Sequence, residues 1–458
     1  MNKESFIEEV SKRIMAEKCD LFVGSGISNE SHIPLWSELL NPLAKDLGIE
    51  LDDSDDLPMI AQYIVNNNGG NKSIIYSRLD DCYDKDCSLN KYHNVISKMS
   101  FNCVWTTNYD LLLERCFSNR SINRICKNSD LARRAKKRGF ELIKLHGSID
   151  GDYDDIVLTQ QEYDECLFKK SAIAQKLRDS FIQKSFLFIG YGYRDPDIRN
   201  IMIEATKQAD MHPQDHYIIL FDISRKDAET AERFYQRKKR FDLWLKELNR
   251  IGIKELIVKD SDELVNVLNN IDVKSRGRSV FVSGSHSSVT MDFVDYGKRL
   301  AKLDDVVMIS GQNQGVGINV VNGFMEEAVN AKKELDNVIK VFPNPYAANP
   351  AFSDDKSLLP QLKNARMPMF LKTKLFVVFA GGMGTKAEVE VAKEKGCDIL
   401  IAIMDTSEYE NPLIKSLLSD DYCNRCMCKV PEYSKLIASK KVPSMDELVK
   451  ATEVLLNA

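Results

Sequence analysis

Short apolar runs that stop abruptly at glycine, serine, asparagine or histidine recur along this chain, with helix-period stretches between them. Asp20–Val23, the opening of Phe101–Asp110, Phe140–Leu145, the run that starts at Ser185, His216–Leu220 and Glu255–Val258 form one series. Val280–Ser285, Val306–Ile309, Val338–Phe342, Lys374–Phe379 and Asp398–Ile403 form a second. Runs this short, bounded by turn residues, read as buried strands, and strands alternating with helices imply parallel sheets. The expected fold class is therefore α/β, with two Rossmann-like parallel-sheet domains. A small, polar stretch from Lys274 to Arg278 separates the series. It marks a boundary between residues 1–273 and 279–458, and 458 residues accommodate two domains.

In an open α/β sheet, ligands bind outside the carboxyl ends of the strands. The run FNCVWTTNYD ends in Thr106, Thr107, Asn108, Tyr109 and Asp110, and Asn108 is the first candidate for chemistry. Asp20–Val23 runs into Gly24, Ser25, Gly26, Ile27 and Ser28. A strand, a glycine turn and a helix form either a phosphate cradle or a tight turn without a ligand. Phe140–Leu145 stops at His146–Gly147–Ser148. A histidine there is structural or, given its pKa near neutrality, a proton acceptor at the same rim. The run from Ser185 ends in Gly190, Tyr191, Gly192 and Tyr193, residues suited to a ribose or adenine; Arg194, Asp195 and Asp197 read as turn and capping residues. The second series has polar ends of its own at Gly284–Ser285, Gly311–Gly317, Asn344 and Ala380–Thr385. Two nucleotide-type pockets in one chain allow one to do chemistry and the other to read a signal.

Composition excludes several classes. A net charge of -5 argues against a broad nucleic-acid surface. The basic runs Arg133–Arg138 and Arg237–Arg240 sit in helix-like contexts and read as solvated faces. No apolar run approaches the ~20 residues needed to span a bilayer, and the amphipathic start MNKESFIEEVSKRI lacks a signal-peptide core. The expectation is a cytoplasmic protein with neither membrane nor nucleic-acid partner. The 11 scattered cysteines fit reduced thiols. Cys423, Cys426 and Cys428 read as a small turn with free thiols, because no further Cys or His pair completes a metal set. No metal is expected.

The order Gly24–Ser28, Thr106–Asp110, Leu145–Gly147 and Gly190–Tyr193 resembles the sirtuin-like NAD-binding domain, whose pattern is GAGxS, TxNxD, HG and a late glycine strand end. The chain lacks the four-cysteine zinc ribbon of true sirtuins, and Asn29–Trp36 (NESHIPLW) differs from the deacylase stretch. Both differences favour the bacterial branch that hydrolyses NAD. Arg366 and Gly381–Glu388 (GGMGTKAE) resemble the SLOG and LOG families, with Ala380 in place of the usual proline. A sirtuin-like domain followed by a SLOG domain is similar to the NAD-hydrolase effectors of the Thoeris anti-phage system.

That resemblance implies an NAD+ glycohydrolase, held inactive until its C-terminal domain binds a cyclic ADP-ribose isomer made by a TIR-domain partner, and a homotetramer or larger assembly. NAD+ is substrate, and no separate cofactor is implied. Asn108 would fix the nicotinamide ribose and the attacking water, and His146 would accept a proton. Gly24, Ser25 and Gly26 would hold the pyrophosphate, with Ser28, Thr107, Asp110, Gly190 and Tyr191 completing the dinucleotide site. Gly284, Ser285, Arg366, Gly382, Gly384, Thr385 and Glu388 would bind the activator, the arginine fork on a phosphate and the carboxylate on ribose hydroxyls. The alternatives are a sirtuin-type protein deacylase with an accessory nucleotide domain, a non-catalytic nucleotide sensor, and LOG-like hydrolysis of a nucleoside monophosphate by the second domain.

Overall fold

Successive side chains of a buried strand alternate between two faces, and Leu21, Phe22 and Val23 enter two different cores in this way. They belong to β1 (Cys19–Val23). The other strands of its sheet are β2 (Cys103–Thr106), β3 (Ile122–Ile125), β4 (Phe140–Lys144), β5 (Ser185–Ile189), β6 (His216–Phe221) and β7 (Ile253–Val258). Their order is β3-β4-β2-β1-β5-β6-β7, and every pairing is parallel. The computed structural model describes residues 1–51, 55–83, 87–133, 140–192, 196–208, 214–225, 229–285, 291–312, 315–342 and 356–458. They divide into two units, Met1–Asp272 and Val273–Ala458.

In the first unit Leu21, Val23, Val104, Leu142 and Leu187 pack against Phe6, Val10 and Ile14 of the helix Lys3–Met15. On the opposite face Phe22, Trp105, Ile143 and Phe186 meet Ile173, Leu177 and Phe181 of the helix Ser171–Gln183. Both faces are covered, which is why these strands read as continuous apolar runs. β3 is the strand that hydrophobicity does not reveal. Its sequence INRI lies at the sheet edge, where only Ile125 is fully buried, so Asn123 and Arg124 are tolerated.

Between β1 and β2 run the helices Trp36–Asp46, Leu57–Asn67 and Ser73–Tyr83. Leu39, Leu40, Ile60, Ile64 and Leu79 form a core that also takes in Tyr109, Ile156 and Leu158 from the loops after β2 and β4. This helical layer therefore packs over the carboxyl ends of those two strands.

The second unit contains β8 (Arg278–Ser283), β9 (Val306–Ser310), β10 (Ile339–Val341), β11 (Leu375–Val378) and β12 (Asp398–Ile401), all parallel in the order β10-β9-β8-β11-β12. The helices Met291–Lys302 and Val316–Asn330 touch backbone to backbone. A Cβ on Gly297 would lie 2.0 Å from the Val320 carbonyl oxygen, and one on Gly323 2.0 Å from that of Val294.

The turn expected at Cys423–Cys428 is instead the helix Asp421–Met427, whose cap Asp420 accepts the Cys423 N–H at 3.0 Å. Cys423 and Cys426, three residues apart, share its buried face, while Cys428 is exposed. Burial pushes the Cys423 thiol up to about 12 and the Cys426 thiol up to about 11. Among the described residues no group of three or more His, Cys, Asp or Glu is arranged to hold a metal ion, and no helix is long and apolar enough to cross a membrane.

Candidate active site and candidate ligand site

Register decides which strand ends meet. Val23 pairs with Thr106 and with Ile189, and Thr106 pairs with Lys144. One step further along each strand stand Gly24, Thr107, Leu145 and Gly190; a second step brings Ser25, Asn108, His146 and Tyr191. Four motifs far apart in sequence thus finish at one rim. The chain leaves β1 for β2 on one side and returns to β5 on the other, so this rim includes the topological switch point.

The glycine turn is shaped by contact with β5. The Gly24 N–H donates to the Ile189 carbonyl and the Gly26 N–H to that of Gly190, each at 3.0 Å. A Cβ on Gly24 would lie 2.4 Å from the Gly190 oxygen and 2.6 Å from the Tyr191 Cα. Two of the amides read as a phosphate cradle are therefore committed to β5, and the helix that follows, Gly26–Asn29, is a single turn. Ser25, Thr107 and Gly190 remain partly exposed at the rim. Tyr191 is 7% exposed, its ring 4.7 Å from that of Phe22 and 5.8 Å from that of Phe188; it packs in the core and offers no open platform for a ribose.

Asn108 is held from several directions. The Thr106 hydroxyl donates to the Val23 carbonyl at 2.8 Å and accepts the Asn108 N–H at 3.0 Å. The Asn108 Nδ2 donates to Ser28 Oγ at 3.3 Å, and Ser28 Oγ donates to Asp110 Oδ2 at 2.8 Å. Asp110 Oδ1 accepts the Leu112 N–H at 2.9 Å. The amide is oriented by its nitrogen, and its Oδ1 is buried without a hydrogen-bond partner among the described residues. A buried acceptor left unmatched costs about 1–3 kcal/mol, a deficit that a hydroxyl or water donor would relieve.

His146 lies in the turn after β4, followed by Gly147 at φ +90°. It is 3% exposed, its Nδ1 3.4 Å from the Tyr163 hydroxyl and its ring edge-on to that tyrosine at 5.0 Å. A small cleft beside it is lined by Leu145, Cys166, Lys170, Ala174, Ile198 and Ile201. Burial, and then the Lys170 ammonium, lower its pKa to about 3, so the imidazole is neutral at pH 7 and a weak base. Lys170 donates to the Leu145 carbonyl at 2.6 Å and to that of Asp155 at 3.3 Å, and burial lowers its own pKa. Ser28, Asn108 and Asp110 are joined by hydrogen bonds, and His146 stands at the end of the adjoining strand. Tyr163 and Lys170 escaped the sequence reading, because a helix and its end give no sign of which residues face a neighbouring strand.

In the second unit the strand order reverses between β8 and β11. The Ser283 hydroxyl donates to Glu388 Oε2 at 2.6 Å, and Arg366 Nη2 lies 3.7 Å from Glu388 Oε1. Both side chains are nearly fully buried, at 7% and 3%. Arg366 and Glu388 therefore form a buried ion pair with each other. The Ser285 N–H donates to the Ala380 carbonyl at 3.0 Å, and Ser285 Oγ lies 3.4 Å from Thr385 Oγ1. A Cβ on Gly382 or Gly384 would meet nothing within 4 Å, so this turn, which opens the helix Met383–Glu394, borders free space. Gly284 is packed, a Cβ there lying 2.8 Å from that of Phe379. Tyr193, Arg194, Asp195, Asn344 and residues 134–138 of the first basic run lie outside the described residues. In the second run Arg237 pairs with Glu229 and Lys238 with Asp222.

Two family models match the chain: a SIR2-like domain at residues 102–243, and the Sir2- and TIR-associating SLOG family (STALD) at residues 263–452. The chain is 27% identical over 444 residues to a protein named NAD(+) hydrolase ThsA from Acinetobacter baumannii (strain 532279), covering 90% of each. It is 25% identical over 402 residues to the protein of that name from Bacillus cereus (strain MSX-D12), covering 85% of this chain and 82% of the relative. With that from Enterococcus faecium the identity is 27% over 369 residues, covering 75% and 76%.

Proposed function

We propose that this chain, a SIR2-like domain joined to a STALD-type SLOG domain, hydrolyses NAD+ to nicotinamide and ADP-ribose at the rim bearing Asn108 and His146. The observation that carries the proposal is the arrangement at that rim: a neutral buried histidine in the turn after β4 and, past the end of the adjoining β2, an asparagine whose side-chain oxygen is buried and unsatisfied. The similarity to ThsA hydrolases along most of the chain supports it.

In NAD+ the nicotinamide nitrogen is cationic, so cleavage of the bond to the ribose carbon sends the electron pair to the ring and releases a neutral leaving group. The transition state resembles an oxocarbenium ion, and catalysis rests on positioning and charge stabilisation. Asn108 Oδ1 accepts from a ribose hydroxyl or from the attacking water, and the water's proton passes to His146 as the new carbon–oxygen bond forms. Ser28 and Asp110 hold the asparagine. Ser25, Thr107 and Gly190 border the dinucleotide.

The second pocket reads as a sensor for a cyclic ADP-ribose isomer supplied by a TIR-domain partner, with NAD depletion in anti-phage defence as the outcome. The SLOG match and the open turn at Gly382–Gly384 support a ligand there. A ligand shifts an equilibrium only by binding its two states unequally, so the isomer must prefer the cleaving state. The same reading has the protein acting as a homotetramer or larger assembly in the cytoplasm.

The test is nicotinamide release from NAD+ with and without a panel of cyclic ADP-ribose isomers and an acyl-lysine peptide. Release that needs an isomer and no peptide is expected. Release that needs the peptide would identify a deacylase, and no release under any condition would leave a nucleotide sensor.

A further inference from the structure

We propose that Lys144 is a positioning residue for the NAD-cleaving site, its buried ammonium tying the loop that carries Asn108 to the turn that carries His146. The proposal rests on the hydrolase reading for its chemistry and on the geometry of one side chain for its substance.

Lys144 ends β4 and is 1% exposed. Its Nζ donates to the carbonyl oxygens of Asp110 at 2.6 Å and Tyr109 at 3.2 Å, and to Ser148 Oγ at 3.0 Å, with Glu114 Oε1 at 3.1 Å. Tyr109 and Asp110 directly follow Asn108, and Ser148 is two residues past His146. One cation therefore grips both segments. The grip is itself braced: Ser148 Oγ donates to Asp150 Oδ1 at 2.7 Å, Arg124 pairs with Asp150 at 2.7 Å, and Arg124 Nη1 lies 3.5 Å from Glu114 Oε1, closing a ring of polar groups.

A buried ion pair is a weak source of stability, since an apolar side chain of similar volume often serves as well or better. An apolar side chain has no donors, however, and cannot hold carbonyls of one loop at a fixed distance from the hydroxyl of another. That capacity is what a lysine supplies here with its three donors. Asn108 and His146 lie just past the ends of the paired strands β2 and β4, where the ladder has stopped, and this tie joins their two loops alongside the bond from the Ile149 N–H to the Tyr109 carbonyl at 3.0 Å. Displacement of about 1 Å in a reacting arrangement can cost about 10²-fold in rate.

The experiment compares the full-length wild type with Lys144→Met/Glu114→Gln, which removes the buried ammonium and its partly buried partner carboxylate together, and with Ser148→Ala, which cuts the link to the His146 turn and the bond to Asp150 while leaving the Lys144 contacts to Tyr109 and Asp110. Nicotinamide release is followed with the isomer that best activates the wild type, or with NAD+ alone if none does. Amide hydrogen exchange is followed in parallel. In the double variant kcat is expected to fall about 10- to 100-fold with KM within about twofold, and exchange to quicken at residues 107–112 and 145–150 alone; Ser148→Ala falls between. Unchanged kcat in the folded double variant, unchanged exchange in those segments, or faster exchange throughout the sheet in step with lost activity would each overturn the proposal. If the wild type releases no nicotinamide, the hydrolase reading fails, and the exchange pattern alone decides whether Lys144 ties the two loops.

Discussion

Replacing Gly24 by alanine tests whether close approach of two strand ends builds the rim. The added methyl would lie 2.4 Å from the Gly190 oxygen, whereas ordinary contacts for a Cβ begin at 3.4 Å. The backbone of Gly190 must therefore retreat by about 1 Å, and the three atoms it crowds, the Gly190 carbonyl oxygen and carbon and the Tyr191 Cα, belong to backbone with no rotamer to yield. Overpacking of this kind costs about 1–3 kcal/mol. The retreat also strains the bond from the Gly26 N–H to the Gly190 carbonyl, now 3.0 Å, and displaces Ser25 and Gly190 at the rim. A misplacement of about 1 Å corresponds to a loss of up to about 10²-fold in turnover. Urea unfolding followed by circular dichroism measures the first quantity, and nicotinamide release under native conditions the second. Gly382→Ala is the control for stability: its methyl meets nothing within 4 Å, and a change within about 0.5 kcal/mol is expected. Wild-type stability and turnover in Gly24→Ala would refute the reasoning.

Three further outcomes follow from particular contacts. Ser28→Ala removes the hydroxyl between Asn108 and Asp110 and is expected to lower kcat about tenfold or more while the protein stays folded, as circular dichroism and steady-state kinetics would show. Arg366→Gln combined with Glu388→Gln, which avoids leaving one buried charge alone, is expected to abolish the response of NAD cleavage to a cyclic ADP-ribose isomer; a normal activation curve would remove these residues from the sensor. His216 packs edge-on against Phe181 at 5.4 Å, and burial, then Arg13, lower its pKa from 6.5 to about 3. Its neutral form supports folding fully above pH 6.5, and that support fades as the pH falls through this window toward 3. By pH 5 the loss amounts to about 2 kcal/mol, so His216→Phe is expected to lose correspondingly less stability than the wild type between pH 7 and pH 5 in urea titrations.

The parallel strands were legible because both faces of each sheet are covered, which leaves Asp20–Val23 or Leu375–Val378 no room for alternation. The edge strand Ile122–Ile125 was hidden for the opposite reason, since Asn123 and Arg124 sit where burial is incomplete. Strand ends marked by Gly24, Asn108, His146 and Gly190 were readable as a set. The order of the strands, which brings these ends to one rim, is a long-range property that no local pattern encodes. Glycine misled in one respect: at Gly24 and Gly26 it announces backbone contact with β5, and the amides expected to face a phosphate are occupied. Tyr191 misled in another, its aromatic ring serving the core. A lysine in the apolar run FELIKL was a visible signal of Lys144, because a charge facing inward from a buried strand demands partners. At Cys423–Cys428 the cap Asp420 and the three-residue cysteine spacing pointed to a helix, and reading the thiols as a turn overlooked both.

The most direct test of the rim is the stoichiometry of nicotinamide and ADP-ribose released from NAD+ by equal amounts of folded wild type, Asn108→Ala and His146→Ala, each with the best activating isomer. Equimolar products from the wild type are expected, with rates at least 10²-fold lower in both variants, the scale of a positioned base or a key hydrogen bond. Undiminished release by either variant would contradict the assignment of cleavage to this rim.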